Sequence, residues 1–376
     1  MSSAPLRVAH VISGLESGGA EGFLARLAPA LDGRVESTVI SLRTEGVHGA
    51  GLRSAGIAVE AVGLERGTFA PRSLPRLVRL LRGARPDVVQ TWLYHGDLLG
   101  GLAGRALGRP VAWNLRQQLG HGAPATHGRL IGTCARLSRS IPSAIVAVSA
   151  QAAEDHVRVG YAADKVRVIP NGFDLGRFHP DPGARASVRQ ELGLAPDALL
   201  IGLVARHDPQ KDHATALRAV AALRARRPDV HLVLVGKGVD DDAGLRAEIA
   251  ASGVGAGVHL LGERADLPRL QSAWDVALSS SITEGLSYAI GEAMACGVPA
   301  VVTSGGATAE LVGETGATPP SGRPDELAAA LGRILDLGAD ERAELGGRAR
   351  DRVASGYSLD RAVEAYADLY AELVRR

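Results

Sequence analysis

Apolar positions fall into short runs that alternate with longer amphipathic stretches from one end of the chain to the other. Runs at 6–12, 36–42, 57–62, 87–91, 110–113, 143–148 and 166–169 predict strands, and 19–31, 73–83, 97–107, 128–139 and 150–159 predict the helices between them. Short β-rich runs separated by helices make βαβ units on a parallel sheet. The alternation stops at Ile169-Pro170-Asn171-Gly172-Phe173-Asp174, and with Pro180, Pro182 and Gly183 following, 171–185 reads as a linker. It resumes with strands at 199–204, 230–235, 258–261, 275–279 and 299–303 and a helix from about 211. The last segment, from Leu359, is an amphipathic helix behind Ser358, a good N-cap residue.

The chain has 376 residues, more than one ordinary core needs, so two domains are expected. Apolar residues at 46% and charged residues at 22% mark a globular protein, and aromatics at 3% leave the cores to Ala, Val, Leu and Ile. Two cysteines, Cys134 and Cys296, can build neither a disulfide framework nor a four-thiolate zinc site and are expected to be small buried residues. The first residues run straight into a strand without a signal peptide, and no window of about 18 apolar residues occurs, so a cytoplasmic chain is expected. The net charge of +1 hides an asymmetry: residues 1–180 carry 21 Lys/Arg against 13 Asp/Glu, and the remainder 21 against 28. A basic first half is suited to something anionic. The basic residues come without interleaved aromatics, so a nucleic-acid partner is not expected.

The candidate chemistry centres on Glu284-Gly285-Leu286-Ser287-Tyr288-Ala289-Ile290-Gly291-Glu292. If this block is helical, its two carboxylates lie about 12 Å apart on nearly one face, with Glu284 at the helix entrance. A helix entrance also offers N–H groups and the positive dipole end to an anion such as a diphosphate. Spacing alone favours two solvated residues on a helix face, and it is the neighbourhood that changes the reading. The helix continues into Ala293-Met294-Ala295-Cys296-Gly297 and a short strand from Val298-Pro299 to Thr303, ending in Ser304-Gly305-Gly306. This E-x7-E block with its tail resembles the retaining glycosyltransferase family 4.

The resemblance extends along the rest of the chain. Ser13 to Glu21, with Gly18 and Gly19 at the start of the first helix, resembles the family's G-G-A-E loop beside the donor diphosphate; a tight βα turn is an equal reading of the pattern alone. Ala205-Arg206-His207-Asp208-Pro209-Gln210-Lys211-Asp212 resembles the family's R-x4-K element, with Ala205 and Asp212 standing where glycines are usual. Val235-Gly236-Lys237-Gly238 resembles the V-G-x-G turn, and Val258 to Arg264 the loop that meets the base, giving Gly262 and Arg264 as donor-side positions. Asp240-Asp241-Asp242 has the look of a metal-binding D-x-D but reads as a solvated loop, and neither metal nor cofactor is implied.

In the first half the pattern departs. Many family members carry a His after the strand corresponding to 110–113, where this chain reads Trp113-Asn114-Leu115-Arg116. Asn114 or Arg116, or His95 and His121 from adjacent loops, are the acceptor-side candidates, each with an ordinary structural reading. Arg72, Arg76, Arg79 and Arg82 recur at helical spacing over 72–85, a basic face that fits either solvent or an anionic membrane surface.

By resemblance the fold is α/β GT-B: two doubly wound Rossmann-like domains facing a cleft, with a C-terminal helix crossing back to the first. The expected bounds are an acceptor-binding domain at 1–175, a donor-binding domain at 176–357 and the helix at 358–376. The implied activity is metal-independent, retaining transfer of a sugar from a nucleoside diphosphate donor, UDP-linked by family frequency. The acceptor is a glycan, a lipid-linked sugar or a small molecule, and polysaccharide biosynthesis at the inner face of the membrane is the implied setting. Arg206, Lys211 and Glu284 carry catalysis, while Gly285, Leu286, Ser287 and Glu292 complete the donor site. A GT-B sugar-nucleotide epimerase and a catalytically silent nucleotide-sugar binder are the alternatives.

Overall fold

The computed structural model describes residues 5–65, 73–117, 119 and 125–375. The chain divides into two compact units. One holds the chain up to Gly172 together with the segment from Leu359, and the other is Phe173–Ser358.

The first unit is built on a seven-stranded sheet: β1 Leu6–Ile12, β2 Val35–Ser41, β3 Ala58–Ala61, β4 Val88–Trp92, β5 Val111–Leu115, β6 Ala144–Ala147 and β7 Val166–Val168. Every pair is parallel, in the order β3-β2-β1-β4-β5-β6-β7. β5 runs to Leu115, so Asn114 lies within a buried strand and not in the loop after it. The helix expected at 97–107 begins at Leu93, so His95 is in its first turn and not in a loop. His121 and Arg72 lie outside the described residues.

The C-terminal helix Leu359–Arg375 packs on the first unit against β1, β4 and the helix Gly19–Ala30. Its Tyr366 and Tyr370 are fully buried in an aromatic cluster with Phe23, Trp92 and His10. Trp92 Nε1–H donates to His10 Nδ1 at 3.4 Å, which leaves the proton of the neutral ring on Nε2, facing Ser37 Oγ at 3.3 Å. Burial pushes that imidazole down to about 3.

A second buried group titrates the other way. Asp97 accepts from Thr91 Oγ1 at 2.5 Å and from the Asn114 N–H at 3.2 Å, both on Oδ1, and Oδ2 has no partner. Burial, outweighing those bonds, pushes its carboxyl up to about 8. The native state therefore keeps a proton that the unfolded chain releases above pH about 4. The stability this contributes is full below that pH and drains as pH rises to about 8. His10 has the opposite sign, since its contribution grows as pH rises from about 3 to 6.5. Asp97→Asn, which keeps an uncharged group in place, should flatten the fall in melting temperature between about pH 4 and 8. An unchanged slope in a thermal-melt series would refute this.

The second unit carries six parallel strands in the order β10-β9-β8-β11-β12-β13. They are β8 Leu199–Val204, β9 Val230–Val235, β10 Val258–Leu260, β11 Val276–Ser279, β12 Ala300–Val302 and β13 Gly316–Ala317. Their β-branched and Leu side chains pack with the helices His213–Arg224 and Pro324–Leu335 into one core. At the entry to β11 the buried Asp275 pairs with Arg189 at 2.7 Å, with Arg185 at 2.7 Å and with Arg342 at 3.2 Å, which anchors the strand that leads into the site. Phe173 N–H donates to Tyr357 O at 2.8 Å, so the start and the end of this unit are joined.

Both cysteines are buried and unpaired to each other, as their helical setting predicts. Among the described residues no helix is long and apolar enough to cross a membrane.

Candidate functional site

In the second unit the carboxyl ends of β8 and β11 deliver two loops to one place. β8 ends at Val204 and is followed by Ala205 to Asp212; β11 ends at Ser279 and is followed by Ser280 to Ser287. Ligands of open parallel sheets bind at such strand ends. The first loop closes with a short 3-10 turn, Pro209–Lys211, capped by Asp208. Asp212 then sits in the left-handed region at φ 47, where glycine is usual, and its carboxylate accepts from Thr215 N–H at 3.2 Å to cap the next helix. Asp tolerates this conformation and caps well, which accounts for its presence in place of glycine.

The second loop is not helical where the spacing predicts a helix. The helix runs Tyr288–Ala295 with Ser287 as N-cap, and Glu284 lies four residues ahead of it. The glutamates are therefore not stacked on one helical stripe. Long-range pairing overrides the local pattern: Glu284 N–H donates to Gly305 O at 3.2 Å and Ala307 N–H to Glu284 O at 3.2 Å, forming a parallel bridge with Gly306. The two chains approach so closely that a Cβ on Gly305 or Gly306 would overlap the carbonyl of Ile282 or Glu284. Thr308 fixes the rest: its hydroxyl accepts from Ser287 N–H at 3.0 Å and donates to Gly285 O at 2.7 Å.

The result joins Lys211 to Glu284. Lys211 Nζ lies 2.7 Å from both carboxylate oxygens, and Ser281 Oγ donates to Oε2 at 2.7 Å. These side chains line a small pocket with Ser280, Ser287 and Ala289, so the first turn of the helix Tyr288–Ala295 borders the same space. Leu286, in the same loop, is buried and is not among the lining residues. Glu292, one turn along that helix, is nearly buried and does not line the pocket. Arg206 is mostly exposed and pairs with Asp208 at 2.9 Å.

Gly236 and Gly262 meet beside the first loop: Gly236 N–H donates to Gly262 O at 2.7 Å, and a Cβ on Gly236 would overlap the Ala205 carbonyl. Gly262 has φ +59, which favours glycine. Arg264, by contrast, is held by Asp266 at 2.8 Å and Glu191 at 2.7 Å in an ion-pair network with Arg269, so its fork is spent on the fold. That network holds the Asp266 carboxyl down to about 2, chiefly through the Arg264 hydrogen bonds. Asp242 is no mere solvated loop residue either. It caps the helix Ala243–Ser252 and lies 3.0 Å from His207 Nδ1, with Glu248 at 3.5 Å from Nε2, so Asp242 and Glu248 grip the loop that bears Arg206 and Lys211.

In the first unit, Gly18 is the N-cap of the helix Gly19–Ala30. The Glu21 carboxylate folds back over it, since a Cβ on Gly18 would overlap Oε2. The anion position at this helix start thus already holds a carboxylate of the chain, and burial raises its pKa against the hydrogen bond from its own amide. Asn114 is fully buried, donating from Nδ2 to Tyr366 Oη at 2.8 Å, which ties it to the C-terminal helix. Arg116 is half-buried, hydrogen-bonded to Asn171, with its guanidinium 4.5 Å from the Phe23 ring centre. His95 is exposed.

The Glycosyltransferase Family 4 model matches residues 17–177, and the Glycosyl transferases group 1 model matches residues 198–337. The crystal structure of Anabaena HepE in complex with UDP superposes with a TM-score of 0.86 over 98% of this chain and 100% of that one, at 24% identity. The two halves thus each match a glycosyltransferase domain model, and the fold is GT-B. HepE with UDP-glucose superposes with a TM-score of 0.84 over 98% of this chain and 100% of that one, at 24% identity. A D-inositol 3-phosphate glycosyltransferase of Actinosynnema mirum is 37% identical over 226 residues, 56% of this chain and 53% of that protein. An MMP alpha-(1->4)-mannosyltransferase of Mycolicibacterium hassiacum is 31% identical over 246 residues, 64% of this chain and 56% of that protein. The GT-B chain thus spans about half the length of the curated relatives it matches.

Sequence reasoning found the pocket loops but missed Ser281 and Thr308 as its fasteners and His207 as its link to Asp242. The hydroxyl-rich turn Ser280-Ser281 was the visible signal, whereas Thr308 acts from more than 20 residues away and left none.

Proposed function

We propose that this chain is a retaining, metal-independent glycosyltransferase that moves a sugar from a nucleoside diphosphate donor to an acceptor hydroxyl. The observation that carries this reading is the convergence of Lys211, Glu284 and the start of the helix Tyr288–Ala295 on one pocket at the strand ends. A cation and a helix N-terminus suit the leaving diphosphate, and a carboxylate suits hexose hydroxyls. In the reaction the sugar–phosphate bond lengthens, and negative charge builds on the departing phosphate oxygen. Lys211, Arg206 and the first-turn N–H groups would stabilise that charge, an electrostatic form of catalysis. The departing oxygen can take the acceptor proton on the same face, so no separate base is required. Glu284 would hold the transferred hexose and Glu292 the ribose, with Gly236 and Gly262 allowing close approach of the nucleotide.

Uridine is the proposed base, supported by the UDP and UDP-glucose held by HepE; the acceptor is a glycan, a lipid-linked sugar or a small molecule. The first unit would receive the acceptor and the second the donor, with the enzyme in the cytoplasm. The helix Ser73–Ala84 exposes Arg76, Arg79 and Arg82 while burying Leu77 and Leu81, a basic face fit for peripheral contact with an anionic membrane.

Proton NMR of the product tests the chemistry: the anomeric configuration of the donor should be kept. Inversion would contradict retention, and donor binding without transfer or hydrolysis would contradict the enzyme.

A further inference from the structure

The pocket contains an ion pair made of the two residues assigned to different parts of the donor. Lys211 Nζ is bidentate to Glu284 at 2.7 Å on each oxygen, and both side chains are about a fifth exposed, at 23% and 21%. The loops that carry them are zipped together. Ser280 Oγ donates to Lys211 O at 2.8 Å, Ile282 N–H to Gln210 O at 2.9 Å, and Gln210 Nε2 to Thr283 O at 2.8 Å. Glu284 is further fixed through its backbone to Gly305 and Ala307. With both backbones held, the flexible part of the pair is the four-carbon stem of the lysine. Arg206 already has its own carboxylate partner in Asp208.

A diphosphate entering this pocket meets an ammonium that a carboxylate already neutralises. We infer that donor binding is an exchange of counter-ions. The diphosphate takes Lys211 from Glu284, and the freed carboxylate, held in place by the Ser281 hydroxyl, accepts the hydroxyls of the sugar. This rests on the donor-site reading proposed above and adds a coupling to it. Until the diphosphate arrives, Glu284 is spent on Lys211, so the sugar is gripped only when it comes attached to the nucleotide. Ser281 is a positioning residue in this scheme. It donates to Oε2 at 2.7 Å and would keep the carboxylate oriented after the lysine has left. The exchange also inverts an ordinary expectation, because removing the charge of Glu284 should help the bare nucleotide while harming the reaction.

The test is calorimetric titration of UDP and GDP into wild type, Glu284→Gln, Lys211→Met and the double variant, with ligand-free melting temperatures alongside. The expected result is that Glu284→Gln binds the preferred nucleoside diphosphate about two- to fivefold more tightly than wild type, the size of a partly exposed ion pair removed from competition. Lys211→Met binds it more weakly, and in that background Glu284→Gln loses most of its effect, because the two residues act as one unit. Equal or weaker binding by a folded Glu284→Gln overturns the exchange. Should that variant melt early, Ser281→Ala supplies a second arm. It should keep the wild-type affinity for the bare nucleotide and erase the extra affinity that an attached sugar confers; weaker binding of the bare nucleotide by a folded Ser281→Ala overturns the scheme. A wild type that binds neither nucleotide contradicts the donor-site reading itself, whereas wild-type binding without tightening in Glu284→Gln contradicts the exchange alone.

Discussion

Lys211→Met lowers turnover by about 10²-fold or more with the fold retained, as expected for a preorganised charge facing a leaving group. Methionine keeps most of the aliphatic stem, so the packing of a side chain that is three-quarters buried changes little. The ammonium is lost, and with it the 2.7 Å ion pair to Glu284. The loss is expected in kcat more than in KM, since charge on the departing phosphate grows toward the transition state. Steady-state kinetics with the melting temperature as a control checks it. Near-normal turnover would remove Lys211 from the leaving-group site.

Gly306→Ala abolishes activity by a different route. Its Cβ would overlap the Glu284 carbonyl, and this contact is with backbone, which cannot rotate away. Relief requires the 282–284 segment to move, breaking the hydrogen bonds of Glu284 with Gly305 and Ala307 at 3.2 Å each. A destabilisation of about 1–3 kcal/mol or more is expected from such overpacking. The response of the melting temperature to nucleotide should vanish with it. Gly347→Ala is the matched control: it lies in the helix Ala339–Gly356 with open space at its Cβ, so alanine there should be neutral or stabilise by about 0.5–1 kcal/mol. Equal behaviour of the two variants would refute the clash.

Much of this architecture is legible in the chain because parallel strands buried on both faces are short, near-continuous apolar runs, such as Leu199–Val204 and Val230–Val235. The loop elements of the site are legible for a related reason. Arg206 to Lys211 and Glu284 to Ser287 are each contiguous, and each follows a recognisable strand. What escaped was decided by distant partners. Local spacing places Glu284 in a helix, yet pairing with Gly305 and Gly306 holds it in an extended loop. Asn114 reads as a polar residue near a strand end, yet it is sealed by Tyr366, 252 positions away. Arg264 fits a ligand-binding pattern, but the carboxylates of Glu191 and Asp266 reach it first. Asp212 stands where a glycine is usual, and its left-handed backbone and cap show how the same turn is made.

On this reading the second unit binds a nucleoside diphosphate sugar through Lys211 and its neighbours. A thermal-shift panel of UDP, GDP, ADP and their sugar conjugates, run on wild type beside Lys211→Met, tests it most directly. A bound ligand raises the melting temperature by mass action. A shift with one nucleoside diphosphate, UDP first, enlarged by one attached sugar and diminished in Lys211→Met, is expected. No shift with any of them, or a shift that Lys211→Met leaves intact, would contradict it.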